Sequence, residues 1–337
     1  MLNRNGVLCI MLAAVLCTSA CGPTERWLQR NINPDTFEKE MESKYYTLLL
    51  MVKPGHADTH VNRARAYMEL GEYDQALDDF TKAIELDPKN YWFYLDRAVA
   101  YFDMGRLEDA VADFTTITEM NPDFAPAYTG RGLARRELGL YNDALSDMTM
   151  AIELDPSLRE GYYHRGDLYL FLGRAKSAIE DFTTAIELDE EDAGAYLARA
   201  DAYRDLGLYD NAIDDYDEAA KLDPMNPRAY VGWGEAYIHT GDPYRAIVVC
   251  SIAIKLDPSR AEAYGVRGSA HFHAGDYQSA LDDAETAVEL DPNYDRGYYT
   301  RGLVYAELGE KDRATMDLAR ACDNGIDDAC AALAQMH

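Results

Sequence analysis

Basic residues are scarce. The 337 residues hold 32 Lys and Arg against 60 Asp and Glu, a formal net charge of −28 at pH 7. That balance argues against a nucleic-acid partner, because phosphate backbones are gripped by clustered Lys and Arg. It argues equally against adsorption on anionic lipid head groups. What it suits is a soluble, self-repelling body. Long apolar runs are also missing: the most sustained, Val7–Cys17, has 11 residues, whereas a spanning helix needs about 20. No nucleophile elbow, phosphate-binding loop or HExxH is present. His271 and His273 are two apart and point to different sides of a helix. The pairs Asp78–Asp79, Asp214–Asp215 and Asp282–Asp283 lack the oxygen-ligand loop that Ca²⁺ requires. No catalysis, cofactor or metal is expected.

The N-terminus reads as a targeting segment. Arg4 is a positive start, Val7–Cys17 an apolar core, and Thr18, Ser19 and Ala20 are small residues before Cys21. This end resembles the lipobox of bacterial lipoproteins, in which the Cys thiol receives a diacylglycerol and the signal is cut before it. Thr18 stands where that family usually has Leu. The alternative is a plain secretory signal cut near Ala20. The resemblance implies a signal over 1–20, lipidation at Cys21, stable anchoring by several acyl chains and a tether over 21–34. Removing Arg4 with the signal takes the charge from −28 to −29.

Beyond the tether the chain repeats itself. AIELDP stands at Ala83–Pro88 and Ala151–Pro156, AIELD begins at Ala185, AIKLDP at Ala253 and AVELDP at Ala287, all separated by multiples of 34. Eight repeats follow: 57–90, 91–124, 125–158, 159–192, 193–226, 227–260, 261–294 and 295–328. In each, place eight is Ala or Gly, place fifteen is Gly and place twenty is Ala. Small residues at eight and twenty let two helices approach closely. Gly at fifteen ends the first helix, and Pro, as at Pro88, Pro122, Pro224 and Pro292, ends the second. The pattern resembles the tetratricopeptide repeat, a helix–turn–helix unit of that period. The implied fold is all-α, a right-handed superhelical solenoid of antiparallel helix pairs. Repeat four departs with Glu190 for Pro, in a turn read as solvated. Repeat eight decays after Ala321.

A second departure recurs. Place seven, usually Leu in that family, is Arg here, and place twenty-three is Asp. The pairs are Arg63–Asp79, Arg97–Asp113, Arg131–Asp147, Arg165–Asp181, Arg199–Asp215, Arg267–Asp283 and Arg301–Asp317. Repeat six lacks both, with Trp233 and Val249. Joint presence and joint loss predict a salt bridge between the two helices of a repeat, architectural in role. Cys250, at a core place, reads as a small buried hydrophobe.

Solenoids need caps. Residues 35–56 form the N-terminal cap. Its helix is predicted over Asp35–Val52, with Phe37, Met41, Tyr45, Leu48 and Val52 as the apolar face. Residues 319–337 resemble the Sel1-like variant of the helical repeat, in which extracytoplasmic members bridge two Cys at the spacing of Cys322 and Cys330. That resemblance implies a Cys322–Cys330 disulfide. The tetratricopeptide resemblance also implies that places two, five, nine and twelve line a concave groove. In repeat two these are Trp92, Leu95, Val99 and Phe102, all apolar. In repeat four they include Tyr163, Asp167 and Leu170, and in repeats five and six Asp201, Arg204, Arg228 and Glu235. The cap helix either covers the Trp92 strip or leaves it open. The expected function is a membrane-tethered adaptor of the bacterial envelope that binds other proteins or peptide segments. The alternative is an accessory lipoprotein that closes a pocket on a small apolar molecule.

Overall fold

The computed structural model describes residues 34–336, and every helix or strand among them is an α-helix. The predicted signal, Cys21 and the tether up to residue 33 lie outside the described residues. The chain forms two compact units, divided between Gly161 and Tyr162. The first holds α1 (Pro34–Val52) and three hairpins: α2 (Ala57–Glu69) with α3 (Tyr73–Leu86), α4 (Tyr91–Asp103) with α5 (Leu107–Met120), and α6 (Ala125–Glu137) with α7 (Tyr141–Leu154). The division falls inside α8 (Arg159–Phe171), which pairs with α9 (Ala175–Leu188). The second unit continues with α10 (Ala193–Asp205) and α11 (Tyr209–Leu222), α12 (Pro227–His239) and α13 (Pro243–Leu256), α14 (Ala261–His273) and α15 (Tyr277–Leu290), α16 (Asp295–Glu307) and α17 (Lys311–Asp323), and ends in α18 (Asp327–Gln335).

The repeated residues explain the hairpins. Each Gly at place fifteen has φ between 70° and 82°, where a side chain would strain the backbone. The amide after it reaches back over the helix end, as Arg106 N does to Tyr101 O at 2.8 Å. Ala at place twenty is fully buried in every repeat. A Cβ added at Gly132 would lie 3.2 Å from the Ala144 carbonyl, so the two helices approach backbone to backbone there. The turn at Glu190 matches its Pro-containing counterparts: Asp189 accepts the Glu191 N–H just as Asp87 accepts that of Lys89.

All seven Arg–Asp pairs are two-pronged, with Nε and one terminal nitrogen each donating to a carboxylate oxygen at 2.6–3.0 Å. The Asp side chains are buried and the Arg side chains largely so. The other terminal nitrogen reaches the preceding helix: Arg97 donates to Thr81 at 3.1 Å, Arg199 to Thr183 at 3.1 Å and Arg267 to Ser251 at 3.2 Å. The guanidinium also lies over Tyr rings at places four and eleven, as Arg199 does over Tyr196 and Tyr203. One Arg thus ties its own hairpin and, through the hydroxyl, its neighbour. Where the Tyr is replaced, the substitute joins the same Asp. His60 lies 2.7 Å from Asp79, and Arg135 donates to Asp147 at 2.6 Å. In repeat six, Trp233 takes the place of Arg between Tyr230 and Tyr237 and packs on the cluster that contains Val249.

The apolar face predicted for the N-terminal cap is not the buried one. Tyr46 and Leu50 are buried, whereas Leu48 and Val52 are exposed. The reason is register. Thr47 lies 34 residues before Thr81 and accepts from Arg63 at 3.2 Å, so α1 packs as the second helix of a repeat. Tyr46 and Leu50 then stand where Phe80 and Ile84 are buried in the next repeat.

At the other end Cys322 and Cys330 are disulfide-bonded, with Cα atoms 4.8 Å apart. The bond joins α17 to α18, whose Ala329 and Leu333 pack on Leu318 and Ala321. A cross-link over so short a loop removes about 2.5 kcal/mol of unfolded-chain entropy. Reduction is therefore expected to speed hydrogen exchange across α18 severalfold while α16 is unaffected. Equal exchange with and without reductant would show that apolar packing alone holds the last helix.

Candidate functional site

In the first unit the Trp92 strip is open. Trp92 is 50% exposed and Val99 45% exposed, while Leu95 and Phe102 are half-buried. Among the described residues the cap does not cover it: α1 packs on α2. Asn90 caps α4 by accepting the Trp92 N–H. Tyr91, Trp92 and Phe124 form a cluster with ring centres 5.0–5.4 Å apart. Phe124, from the turn before α6, is a member that helix-face counting misses. Beside Trp92 is a hollow of 380 Å³ with a polar rim of Asp58, Asn62, Arg65 and Asp96. Arg65 donates to Asp96 at 2.9 Å. Burial outweighs that bond and lifts the Asp96 carboxyl above its usual range.

In the second unit Asp201, Arg204, Arg228 and Glu235 come together in a cavity of 510 Å³. Asp201, buried on α10, accepts from the Tyr216 hydroxyl at 2.6 Å and from Arg228. Arg204 bridges Asp201 at 3.4 Å and Glu235 at 3.1 Å, and Arg296 reaches the other Glu235 oxygen at 3.1 Å. Burial, then the charge of Asp201, push the Tyr216 phenol well up, so it keeps its proton and donates. Burial alone would lower the Arg204 guanidinium, but Tyr216, Asp201 and Glu235 more than offset it. His239 stacks on Tyr209 with ring centres 4.4 Å apart. A second cavity, of 700 Å³, shares Glu235, His239, Tyr294 and Arg296 and is bounded by His273 and by Ile326–Asp328 of the C-terminal cap. Tyr294 lies over Gly265, where an added Cβ would meet its ring at 2.2 Å.

Tyr163, Asp167 and Leu170 are not among the residues lining these cavities. Tyr163 packs 5.8 Å from the Phe182 ring, Leu170 joins the cluster of Ala178 and Phe182, and Asp167 is half-buried. Cys250 is fully buried, and burial raises its thiol. Among the described residues no group of three or more His, Cys, Asp or Glu is placed to hold a metal ion, and no helix is long and apolar enough to cross a membrane. Mixed charge, aromatic platforms and open concavities equip these faces to hold extended or helical chain segments.

A stack of such hairpins is the architecture of a helical repeat protein. Tetratricopeptide repeat models match residues 57–90, 261–294, 80–112 and 160–192, and a TPR repeat model matches 200–241. The first two matches fall on repeats one and seven. The chain is a tetratricopeptide-repeat protein. Among solved structures it is similar to a tetratricopeptide repeat protein from Parabacteroides merdae, with 21% identity, a TM-score of 0.55 and coverage of 74% of this chain and 98% of that one. It is also similar to Pseudomonas aeruginosa pilF, with 20% identity, a TM-score of 0.54 and coverage of 61% and 94%. These likenesses concern the fold. The Protein SGT1 homolog of Oryza sativa subsp. japonica is 33% identical over 79 residues, or 23% of this chain. The chain thus spans about a fifth (21%) of that relative's length. The fold is that of a protein-interaction scaffold, and tetratricopeptide repeats are in general non-enzymatic.

Proposed function

We propose that the chain is a membrane-tethered scaffold of the bacterial cell envelope that holds segments of partner proteins on the concave faces of its repeats. The observation that carries this reading is the open strip of Trp92, Leu95, Val99 and Phe102. An exposed apolar surface with a polar rim is a binding surface. A pocket closing on a small apolar molecule would bury Trp92, which is instead half exposed. The tether rests on the Arg4, Val7–Cys17 and Ala20–Cys21 pattern.

The two halves of the proposal have separate tests. In a Gram-negative host, labelled palmitate should enter the protein and its membrane fraction, and Cys21→Ser should abolish both. Label that persists in Cys21→Ser refutes the anchor. A photo-crosslinking residue at position 99 should yield discrete protein adducts, and one at position 78, on the second helix of repeat one, should not. No adduct at 99, or the same adducts at both, refutes the groove.

A further inference from the structure

Repeat six differs from the others on its outer face as well as in its missing Arg–Asp pair. Along α13, Tyr244, Val248 and Ile252 are spaced four apart, so they share one side of the helix. They are 70%, 60% and 38% exposed. They occupy places eighteen, twenty-two and twenty-six of the repeat. In none of the other seven repeats are all three places apolar. The second helix of the preceding repeat, α11, carries Asp210, Asp214 and Glu218 at these places, and that of the following repeat, α15, carries Gln278, Asp282 and Thr286. Equivalent places on successive second helices share one face of a repeat stack, so an apolar stripe runs between an acidic border on α11 and a polar border on α15 that carries Asp282. Lys221 holds Glu218 at 2.9 Å, but Asp210, Asp214 and Asp282 form no ion pair among the described residues.

We infer that the outer face of repeat six is a second docking surface, and that its partner is an amphipathic helix with an apolar stripe bordered by Lys or Arg. The apolar stripe gains by leaving water, and the acidic side chains on its borders select the charge of what covers it. A second copy of this chain is the wrong occupant. Two-fold pairing of α13 would set Asp214 and Asp282 against acidic side chains of the other copy, in a chain of net charge −28. Anionic lipid is repelled by the same borders. The surface is distinct from the concave faces, whose cavities are lined mainly by first-helix side chains. It stands whether or not the concave reading does.

The test uses a synthetic amphipathic peptide with Leu at every third and fourth position and Lys on the bordering positions. A control peptide carries Glu in place of Lys. The Lys peptide should bind the full protein with an affinity that falls with salt, and the Glu peptide should not bind. Tyr244→Glu with Val248→Glu should weaken binding about tenfold or more, with an unchanged circular dichroism spectrum because both side chains are exposed. Trp92→Ala with Phe102→Ala should leave it unchanged. The sign is decisive, because the double Glu variant is more acidic. General attraction between a basic peptide and an acidic protein would strengthen, and binding as tight as wild type or tighter overturns the inference. Equal binding of the Glu peptide overturns it too. So does a dimer that the double Glu variant dissolves, which would make the occupant a second copy. So does co-sedimentation with phosphatidylcholine vesicles lost in that variant, which would make the occupant a lipid surface.

Discussion

Asp147→Ala is expected to lower the unfolding free energy by about 3–5 kcal/mol, the range for removing one partner of a buried ion pair. Asp147 is buried and accepts from Arg131 through both oxygens and from Arg135 at 2.6 Å. Truncating it leaves two guanidinium groups facing each other with no carboxylate. The reverse substitutions separate the pairs. Arg131→Met leaves Asp147 still bonded to Arg135, whereas Arg199→Met strips Asp215 of the one Arg it accepts from among the described residues. Arg199→Met should therefore cost more than Arg131→Met, by about 1–2 kcal/mol. Arg199→Met with Asp215→Leu should recover most of the loss, since two apolar side chains leave no buried charge behind. Urea denaturation measures these differences. Hydrogen exchange in α6 and α7 checks that a local opening is not being read as a global one. Additive costs for Arg199 and Asp215 would show that the pair is not coupled.

The Arg side of the bridges sets a pH condition on that experiment. The hydrogen bond to Asp215 raises the Arg199 guanidinium above its ordinary value, and Asp181 does the same for Arg165. A raised folded value means the stabilisation is fully present below the unfolded Arg value and is lost only as pH climbs through the folded one. The cost of Arg199→Met should therefore be flat from about pH 6 to pH 9. A cost that fades within that window would assign the effect to another group.

The pairing of places seven and twenty-three is legible in sequence because repeat six loses both at once, with Trp233 and Val249. A third contact, from Arg97, Arg131, Arg199 and Arg267 to the hydroxyl of Thr81, Thr115, Thr183 and Ser251, also recurs, though Glu285 stands at that place before Arg301, and it links adjacent repeats. A single-repeat frame does not show which neighbour it serves. The cap helix forms where the sequence places it, but its buried face differs for a related reason. Periodicity marks where apolar side chains fall, and α1 has them on more than one side, so the line of Met41, Tyr45, Leu48 and Val52 reads as a core. Its register against the repeats, carried by Thr47, is what decides that Tyr46 and Leu50 go inside. In the second unit's cavity, Asp201, Arg204, Arg228 and Glu235 follow from first-helix places. Tyr216 does not, because it comes from a second helix, and although Arg296 stands at place two like Arg228, its reach to Glu235 across two repeats is not written in the repeat pattern. Tyr216 did leave a trace: it stands where Phe80, Phe114 and Phe182 fill the same place, in the repeat where the groove carries buried Asp201.

That Tyr makes Gly232 the other sensitive position. In an exposed helix, Gly→Ala is worth about 1 kcal/mol of stabilisation. At Gly232 the sign should reverse. The new Cβ would lie 2.4 Å from Tyr216 Cζ and 2.5 Å from its oxygen, and Tyr216 is fully buried with its hydroxyl on Asp201. The ring has to leave its rotamer or α12 has to shift, and overpacking of this kind costs about 1–3 kcal/mol. Moving the ring also withdraws a donor from buried Asp201, leaving it to Arg228 and Arg204. Tyr216→Leu tests the cause. Alone it should destabilise, because it opens a cavity and removes the hydroxyl. Combined with Gly232→Ala it should cost less than the two changes summed, because the methyl enters space that the ring has vacated. Thermal and urea unfolding of the two single variants and the double variant give the coupling. Gly232→Ala at or above wild-type stability would show that the Tyr216 ring yields freely, and that the floor of the second unit's cavity is soft enough to reshape around a bound segment.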